Sequence, residues 1–132
     1  MFITKESDYA VRIIRELSRS GRESVKAICE SESIPMQYSY KILKKLEKGG
    51  LVQGYRGASG GYELAKAPKN MSLYDVITAV DEEILLSECL GHGFRCPMKG
   101  KGRKGCGVHG EFARIQGLIL SHLKEKSLSD II

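Results

Sequence analysis

Apolar positions recur at helical spacing along most of the chain and break at polar or glycine-bearing turns. In residues 4–20, Tyr9, Ile13, Ile14 and Leu17 fall three or four apart, which predicts an amphipathic helix capped by Thr4. A polar turn with Gly21 follows, and residues 24–30 predict a short second helix with Val25, Ile28 and Cys29 as its apolar members. In IPMQYSYKILKKLEKGG, Pro35 suits the first position of a third helix and Gly49-Gly50 suits its end. Tyr38, Ile42, Leu43 and Leu46 are expected to face the core there, with Gln37, Ser39, Lys41, Lys44, Lys45 and Lys48 lining the outside. LVQGYRGASGGYELA reads as two short strands around a glycine-rich tip, with Arg56 at the tip's entrance. Residues 108–126 predict a last, long helix with Val108, Phe112, Ile115, Leu118, Ile119, Leu120 and Leu123 spread over a broad apolar face. That face is wider than one small neighbour would cover, so it is expected to pack on its own domain and on a second copy.

Helix, short helix, turn, basic helix and glycine-rich hairpin, in that order, predict a winged helix-turn-helix. The expected fold class is mainly α with a small β-hairpin wing. Residues 1–70 form the winged helix-turn-helix DNA-binding domain, and residues 71–132 supply a linker helix, a cysteine-rich loop (87–108) and a C-terminal dimerisation helix. The third helix would enter the major groove of duplex DNA with its N-terminal residues, and the wing would lay Arg56 along the neighbouring minor groove. The candidate DNA contacts are Lys5, Gln37, Tyr38, Ser39, Lys41 and Lys44, with Arg56 and Gly57 in the wing. A homodimer would read two half-sites of an operator.

Charge agrees with this assignment. Of the net charge of +5, all lies in residues 1–70, which hold 13 basic and 8 acidic side chains, whereas residues 71–132 hold 8 of each. A basic small module points toward nucleic acid. At 132 residues the chain builds one compact domain with an element to spare for a partner. No apolar run approaches the roughly 18 residues of a membrane span, and MFITKESDYAVRIIREL is not a signal peptide, so a cytoplasmic location is expected. Enzyme chemistry is not indicated: no GxxxxGK[ST], HExxH or GxSxG pattern occurs, and DEE at 81–83 reads as a solvated turn.

The wing LVQGYRGASGGYELA, the following SLYDVITAVDE and the stretch CLGHGFRCPMKGKGRKGCGVH (89–109) carry a resemblance to a known family. Nearly end to end, from MFITKESDYA to SLSDII, the chain resembles the Rrf-type family of bacterial winged-helix transcriptional regulators that includes IscR, NsrR and CymR, with RGASGGY as the most specific short piece. The resemblance implies a winged-helix homodimer on a pseudo-palindromic operator, often acting as a repressor. In several members it implies an iron–sulfur cluster in the loop before the last long helix.

The loop itself has the spacing Cys89-x6-Cys96-x9-Cys106-x2-His109, with six glycines, five Lys or Arg residues and no acid between 89 and 109. Zinc sites favour tight C-x2-4-C pairs, and none occurs here, whereas wide glycine-rich spacing suits thiolates wrapped around a 2Fe-2S or 4Fe-4S cluster. Arg95, Lys99, Lys101, Arg103 and Lys104 would offset the negative charge of a ligated cluster. Cys106 is expected at the start of the long helix, where the helix dipole favours a thiolate, and His109 three residues on can reach the same site. The resemblance divides over the fourth ligand. Cys106-x2-His109 matches the IscR pattern and implies His109, while Asp8 matches the position from which NsrR-type proteins supply a carboxylate across the dimer. Asp8 is also placed for an i,i+4 ion pair with Arg12. Cys29 reads as a buried small hydrophobe and His92 as a solvated side chain.

Three functions compete at this point. The first is a repressor whose operator binding follows the state of a cluster sensing iron–sulfur status, redox poise or a small diatomic signal such as nitric oxide. The second is a cluster-free thiol switch or zinc-binding regulator, and the third an iron–sulfur carrier whose basic half docks a partner.

Overall fold

Helix α1 (Lys5–Ser20) starts where Thr4, in extended backbone, accepts a hydrogen bond from the Ser7 N–H at 3.1 Å, the expected cap. The computed structural model describes residues 2–98 and 105–132. Ala10, Ile13, Ile14 and Leu17 on α1 are sealed from solvent and form the centre of the core. Against them lie Val25, Ile28 and Cys29 of α2 (Val25–Glu32) and Ile42, Leu43 and Leu46 of α3 (Met36–Lys48).

Helix α2 runs two residues past its expected end. Glu32 is 6% exposed and takes Arg15 in a two-pronged pair, at 3.0 and 2.5 Å, with Arg19 adding a third contact at 3.0 Å. These charge-assisted bonds draw the last turn of α2 onto α1, and Ser33 then ends the helix in the left-handed region at φ 54°. Pro35 also differs by one position. It occupies the N-cap of α3, so Met36 and not Pro35 is the first helical residue.

The wing is a two-stranded antiparallel hairpin, β1 (Val52–Tyr55) and β2 (Gly61–Leu64), in the register Val52–Leu64, Gln53–Glu63, Gly54–Tyr62 and Tyr55–Gly61. Its second strand is pinned near the tip to the α1–α2 turn, where Glu23 and Tyr62 exchange backbone hydrogen bonds at 3.0 and 2.8 Å. This approach explains the third glycine of RGASGGY. Gly61 has φ 134°, and a Cβ there would lie 2.2 Å from the Glu23 carbonyl oxygen. Beside it, burial, with the neighbouring Glu16 carboxylate, pushes the Glu23 carboxyl above the usual range, which accommodates a buried Oε2 that has no partner among the described residues.

After a 3-10 turn at Pro68–Asn70, helix α4 (Leu73–Val80) opens with a capping box. The Ser72 hydroxyl accepts from the Asp75 N–H, and the Asp75 carboxylate accepts from the Ser72 N–H at 2.8 Å. Val76 and Val80 join the core beside α1 and α3. A segment with one 3-10 turn (Glu88–Leu90) leads toward α5 (Gly107–Glu125), which lies against α4. Beyond α5 the chain folds back. The Leu128 N–H donates to the Met71 carbonyl at 2.8 Å, and the Leu128 side chain is fully buried in the common core. No described helix is long and apolar enough to cross a membrane.

Leu128 is therefore a core residue supplied from a 3-10 turn (Leu128–Asp130) beyond α5. Leu128→Ala is expected to lower unfolding free energy by about 2–5 kcal/mol, the usual cost of a cavity at a sealed leucine. Urea denaturation checks this, and an unchanged midpoint would place Leu128 outside the core.

Candidate nucleic-acid interface and cysteine segment

The exposed side of α3 carries Gln37, Lys41, Lys44 and Lys48, with Lys5 at the start of α1 also exposed. Arg56 and Gly57 stand exposed at the wing's tip, where Gly57 takes φ 96° and its carbonyl accepts the Gly60 N–H at 2.9 Å to close the turn. Lys44, Lys48 and Arg56 form no ion pair among the described residues, which leaves them available to phosphates. Together with Glu47, Tyr55 and Tyr62 they line a cleft of about 500 Å³ between α3 and the wing. Three cations against one acid favour a polyanion in it.

Two residues of α3 differ from their expected orientation. Tyr38 is 43% exposed and lies 6.0 Å from the Tyr9 ring in a tilted pair, so it belongs to the outer surface. Ser39 is fully buried, and its hydroxyl donates to the Met36 carbonyl at 2.7 Å. The reason is angular. Ser39 shares the inward stripe with Ile42, Leu43 and Leu46, and its small hydroxyl satisfies itself within the helix. Ser39 therefore presents nothing to a groove, whereas Tyr40, absent from the expected contacts, is 52% exposed one turn before Lys44. Its spacing from Lys44 was the signal that could have placed it on that face.

Lys41 and Lys45 are also not simply solvated. Both ammonium groups donate to the Glu6 carboxylate, at 3.0 and 2.8 Å, and Lys45 donates further to the Val80 carbonyl at 3.0 Å. The Lys45 and Lys41 ammonium groups hold the Glu6 carboxyl below the usual carboxylate range. At the tip end of β1, the Arg22 guanidinium lies 3.4 Å over the Tyr55 ring, and the Tyr55 hydroxyl donates to Glu63 at 2.5 Å. That cluster braces the wing against the α1–α2 turn.

The cysteines separate cleanly. Cys29 is 5% exposed within the core, as expected of a small hydrophobe. Cys89 is half-buried in the 3-10 turn at 88–90 with its sulfur 3.4 Å from the Ser87 hydroxyl, and Cys96 is exposed. Cys106 is the N-cap of α5, and its sulfur accepts the His109 N–H at 3.4 Å. The structure thus joins Cys106 and His109 at one helix start through the His109 backbone, with no contact of its imidazole to the sulfur among the described residues. It does not gather Cys89 and Cys96 with them, since no group of three or more metal-ligating side chains forms among the described residues. Lys99, Lys101, Arg103 and Lys104 lie outside the described residues, and Arg95 is exposed. Asp8 forms the i,i+4 pair with Arg12 at 2.7 Å, and His92 is exposed.

The acidic run at 81–83 is not wholly a solvated turn. Glu82 and Glu83 are exposed, but Asp81 is half-buried, and its carboxylate accepts the Thr4 hydroxyl at 2.7 Å and the Ser7 hydroxyl in a short bond. An acid ending one helix meets two hydroxyls opening another, 77 and 74 residues earlier. No local pattern announces such a long-range pairing.

Lys44→Ala is expected to weaken binding to duplex DNA of any sequence and to flatten the dependence of log affinity on log salt by roughly one unit. Arg56→Ala is expected to concentrate its loss at A·T-rich positions beneath the wing. Fluorescence anisotropy over a salt titration checks both, and wild-type affinity and slope in the two variants would remove them from the interface.

Comparison with known proteins places this geometry. Residues 3–132 match the model of the Rrf2 family, described as an iron-dependent transcriptional regulator. The chain is 33% identical over 96 residues to the helix-turn-helix transcriptional regulator IscR of Escherichia coli, a stretch that covers 70% of this chain and 59% of that protein. Among solved structures, CymR, the global cysteine regulator of B. subtilis, superposes with a TM-score of 0.77 at 24% identity, over 98% of this chain and 94% of its own. IscR of T. potens superposes with a TM-score of 0.75 at 23% identity, over 98% and 84%. The structural likenesses establish a shared winged-helix fold, and the named relatives are regulators of transcription and not enzymes. With the family model matched over nearly the whole of its 132 residues, this chain belongs to the Rrf2 family of transcriptional regulators.

Proposed function

We propose that this protein is a sequence-specific repressor whose operator binding is set by an iron–sulfur cluster held in the loop between residues 89 and 109. The carrying observation is the contrast among its thiols. Cys29 is sealed in the core, while Cys89, Cys96 and Cys106 are free and reach solvent along the approach to α5. Three accessible thiols and an imidazole are a donor set that suits iron–sulfur ligation. Cys89, Cys96, Cys106 and His109 would hold the cluster, 2Fe-2S or 4Fe-4S, with Asp8 as the alternative to His109. When bound, the cluster supplies a centre that responds to redox poise or to a small diatomic molecule such as nitric oxide.

The protein's own groups supply the rest. Cys106 caps α5, so a constraint on its sulfur acts directly on the first turn of that helix. No residue of α5 is fully buried, with Val108 62% and Leu118 51% exposed, and an apolar helix face left in water favours a second copy of the chain. A homodimer presents two wings and two α3 helices to a pseudo-palindromic duplex operator about one helical turn between half-sites. The location is the cytoplasm, where the cysteines stay reduced.

Anaerobically purified protein is expected to carry stoichiometric iron and sulfide with visible charge-transfer absorption. Cys89→Ala, Cys96→Ala and Cys106→Ala should each lose it and Cys29→Ala should keep it. Zinc without sulfide would favour the cluster-free regulator, and a coloured protein that selects no sequence from a random duplex pool would favour a carrier.

Assembly has its own test. Ile119→Glu places a carboxylate in the α5 face at a cost of several kcal/mol to a buried seam. The variant should sediment as a monomer with weakened operator binding, and a folded variant that stays dimeric would move the seam elsewhere.

A further inference from the structure

A closed ring of polar contacts joins the start of α1, the outer side of α3 and the end of α4. The Asp81 carboxylate, at the C-cap of α4, accepts from the hydroxyls of Thr4 and Ser7. Thr4 is the cap of α1, and Ser7 is fully buried in its first turn. The same turn presents Glu6, whose carboxylate takes Lys41 and Lys45 of α3. Lys45 then closes the ring on the carbonyl of Val80, the residue before Asp81. Glu6 and Asp81 are the two acids of the ring, and Lys41 and Lys45 its two cations.

The ring touches function at both ends. Lys41 sits on the exposed side of α3, 65% exposed at its side chain, so a DNA phosphate and Glu6 compete for one ammonium group. From Asp81 the chain reaches Cys89 in eight residues, and on the way the Leu86 N–H donates to Gln116 of α5 at 2.7 Å. The segment that carries the first loop cysteine is thus tied to α5 on one side and to the α1 turn on the other.

We propose that Asp81 is a positioning residue for DNA binding: it fixes the first turn of α1 so that Glu6 holds Lys41 and Lys45, and through it the segment bearing Cys89 sets the recognition helix. A carboxylate at position 6 stands where a phosphate would otherwise be received, so its placement tunes how strongly Lys41 engages the backbone. Displacing residues 82–90 pulls on Asp81, and the α1 turn, Glu6 and the two lysines follow. The positioning half stands on the contacts alone, and the coupling half rests on the cluster reading above.

The first measurement needs no cluster. Salt-dependent affinity for a random-sequence duplex is expected to steepen by about one unit in Glu6→Gln, which frees Lys41 for a phosphate. Glu30→Gln, the same charge change on the outer side of α2, should leave the slope alone. Asp81→Ala should shift the slope in the same direction as Glu6→Gln, with Asp81→Asn, which keeps an acceptor oxygen, close to wild type. Asp81→Ala added to Glu6→Gln should change nothing more, because Asp81 acts through Glu6. Ser7→Ala removes one donor from the other side with little change in volume and reads the same contact if Asp81→Ala folds poorly. A wild-type slope in Asp81→Ala and Ser7→Ala, or additive effects in the double variant, would overturn the positioning role.

The second measurement compares cluster-bound and cluster-free protein on a duplex selected from a random pool. The ratio of the two affinities is expected to fall to about one in Asp81→Ala while its iron content stays at the wild-type value. An unchanged ratio would overturn the coupling through Asp81. A ratio of one in the wild type would overturn cluster control and the coupling with it, while the slope measurements still decide the positioning role.

Discussion

The winged-helix body takes its position from the burial of one helix. Ala10, Ile13, Ile14 and Leu17 of α1 are almost wholly removed from water, and α2, α3, α4 and β2 all pack around that helix. Ile13, Ile14 and Leu17 each contribute about 1.5–3 kcal/mol when sealed, more than an exposed ion pair is worth. Helix α3 and the wing are therefore mounted on a common support, and α5 joins it through α4. Their polar connections then adjust the orientation of parts that burial has already placed.

Those polar connections share a pattern. Glu32 gathers Arg15 and Arg19, Glu63 gathers Arg22 and Tyr55, and Glu6 gathers Lys41 and Lys45. In each case one carboxylate collects groups from a neighbouring element. In a chain with a basic first half, this leaves a selected subset of cations unmatched, and Lys44, Lys48 and Arg56 lie together beside the wing. The charge that meets DNA is thus defined as much by which cations are already engaged as by how many the chain carries.

The elements and their order were legible because helical spacing, caps and the glycine-rich hairpin are local signals. The cap at Thr4, the core positions of α1 and the strand pairing around RGASGG all follow from neighbours within a few residues. What escaped that reading depended on distance or on fine rotation. Spacing alone admits both Tyr38 and Ser39 to the inward stripe of α3, and only packing beneath α1 decides that the small hydroxyl goes in and the ring stays out. Asp81 finds its hydroxyls more than 70 residues away, and Leu128 reaches the core from a polar tail. The cysteine spacing marked the segment, and among the described residues its last members, Cys106 and His109, meet through a helix-capping bond from the His109 backbone.

The return of the chain after α5 has a mechanical meaning. Leu128 is sealed in the core and hydrogen-bonded to Met71, so the C-terminal end of the helix is fixed to the body. Its other end carries Cys106, exposed, whose sulfur accepts the backbone N–H of His109 in the helix's own first turn. A helix of 19 residues extends about 28 Å at a rise of 1.5 Å per residue. Pivoting about the Leu128 end by about 5° sweeps the Cys106 end through roughly 2.5 Å, close to half the 5.4 Å pitch of the helix. Any such displacement is largest at the Cys106 sulfur and falls to zero toward Leu128, with the Leu86–Gln116 hydrogen bond lying midway along its path.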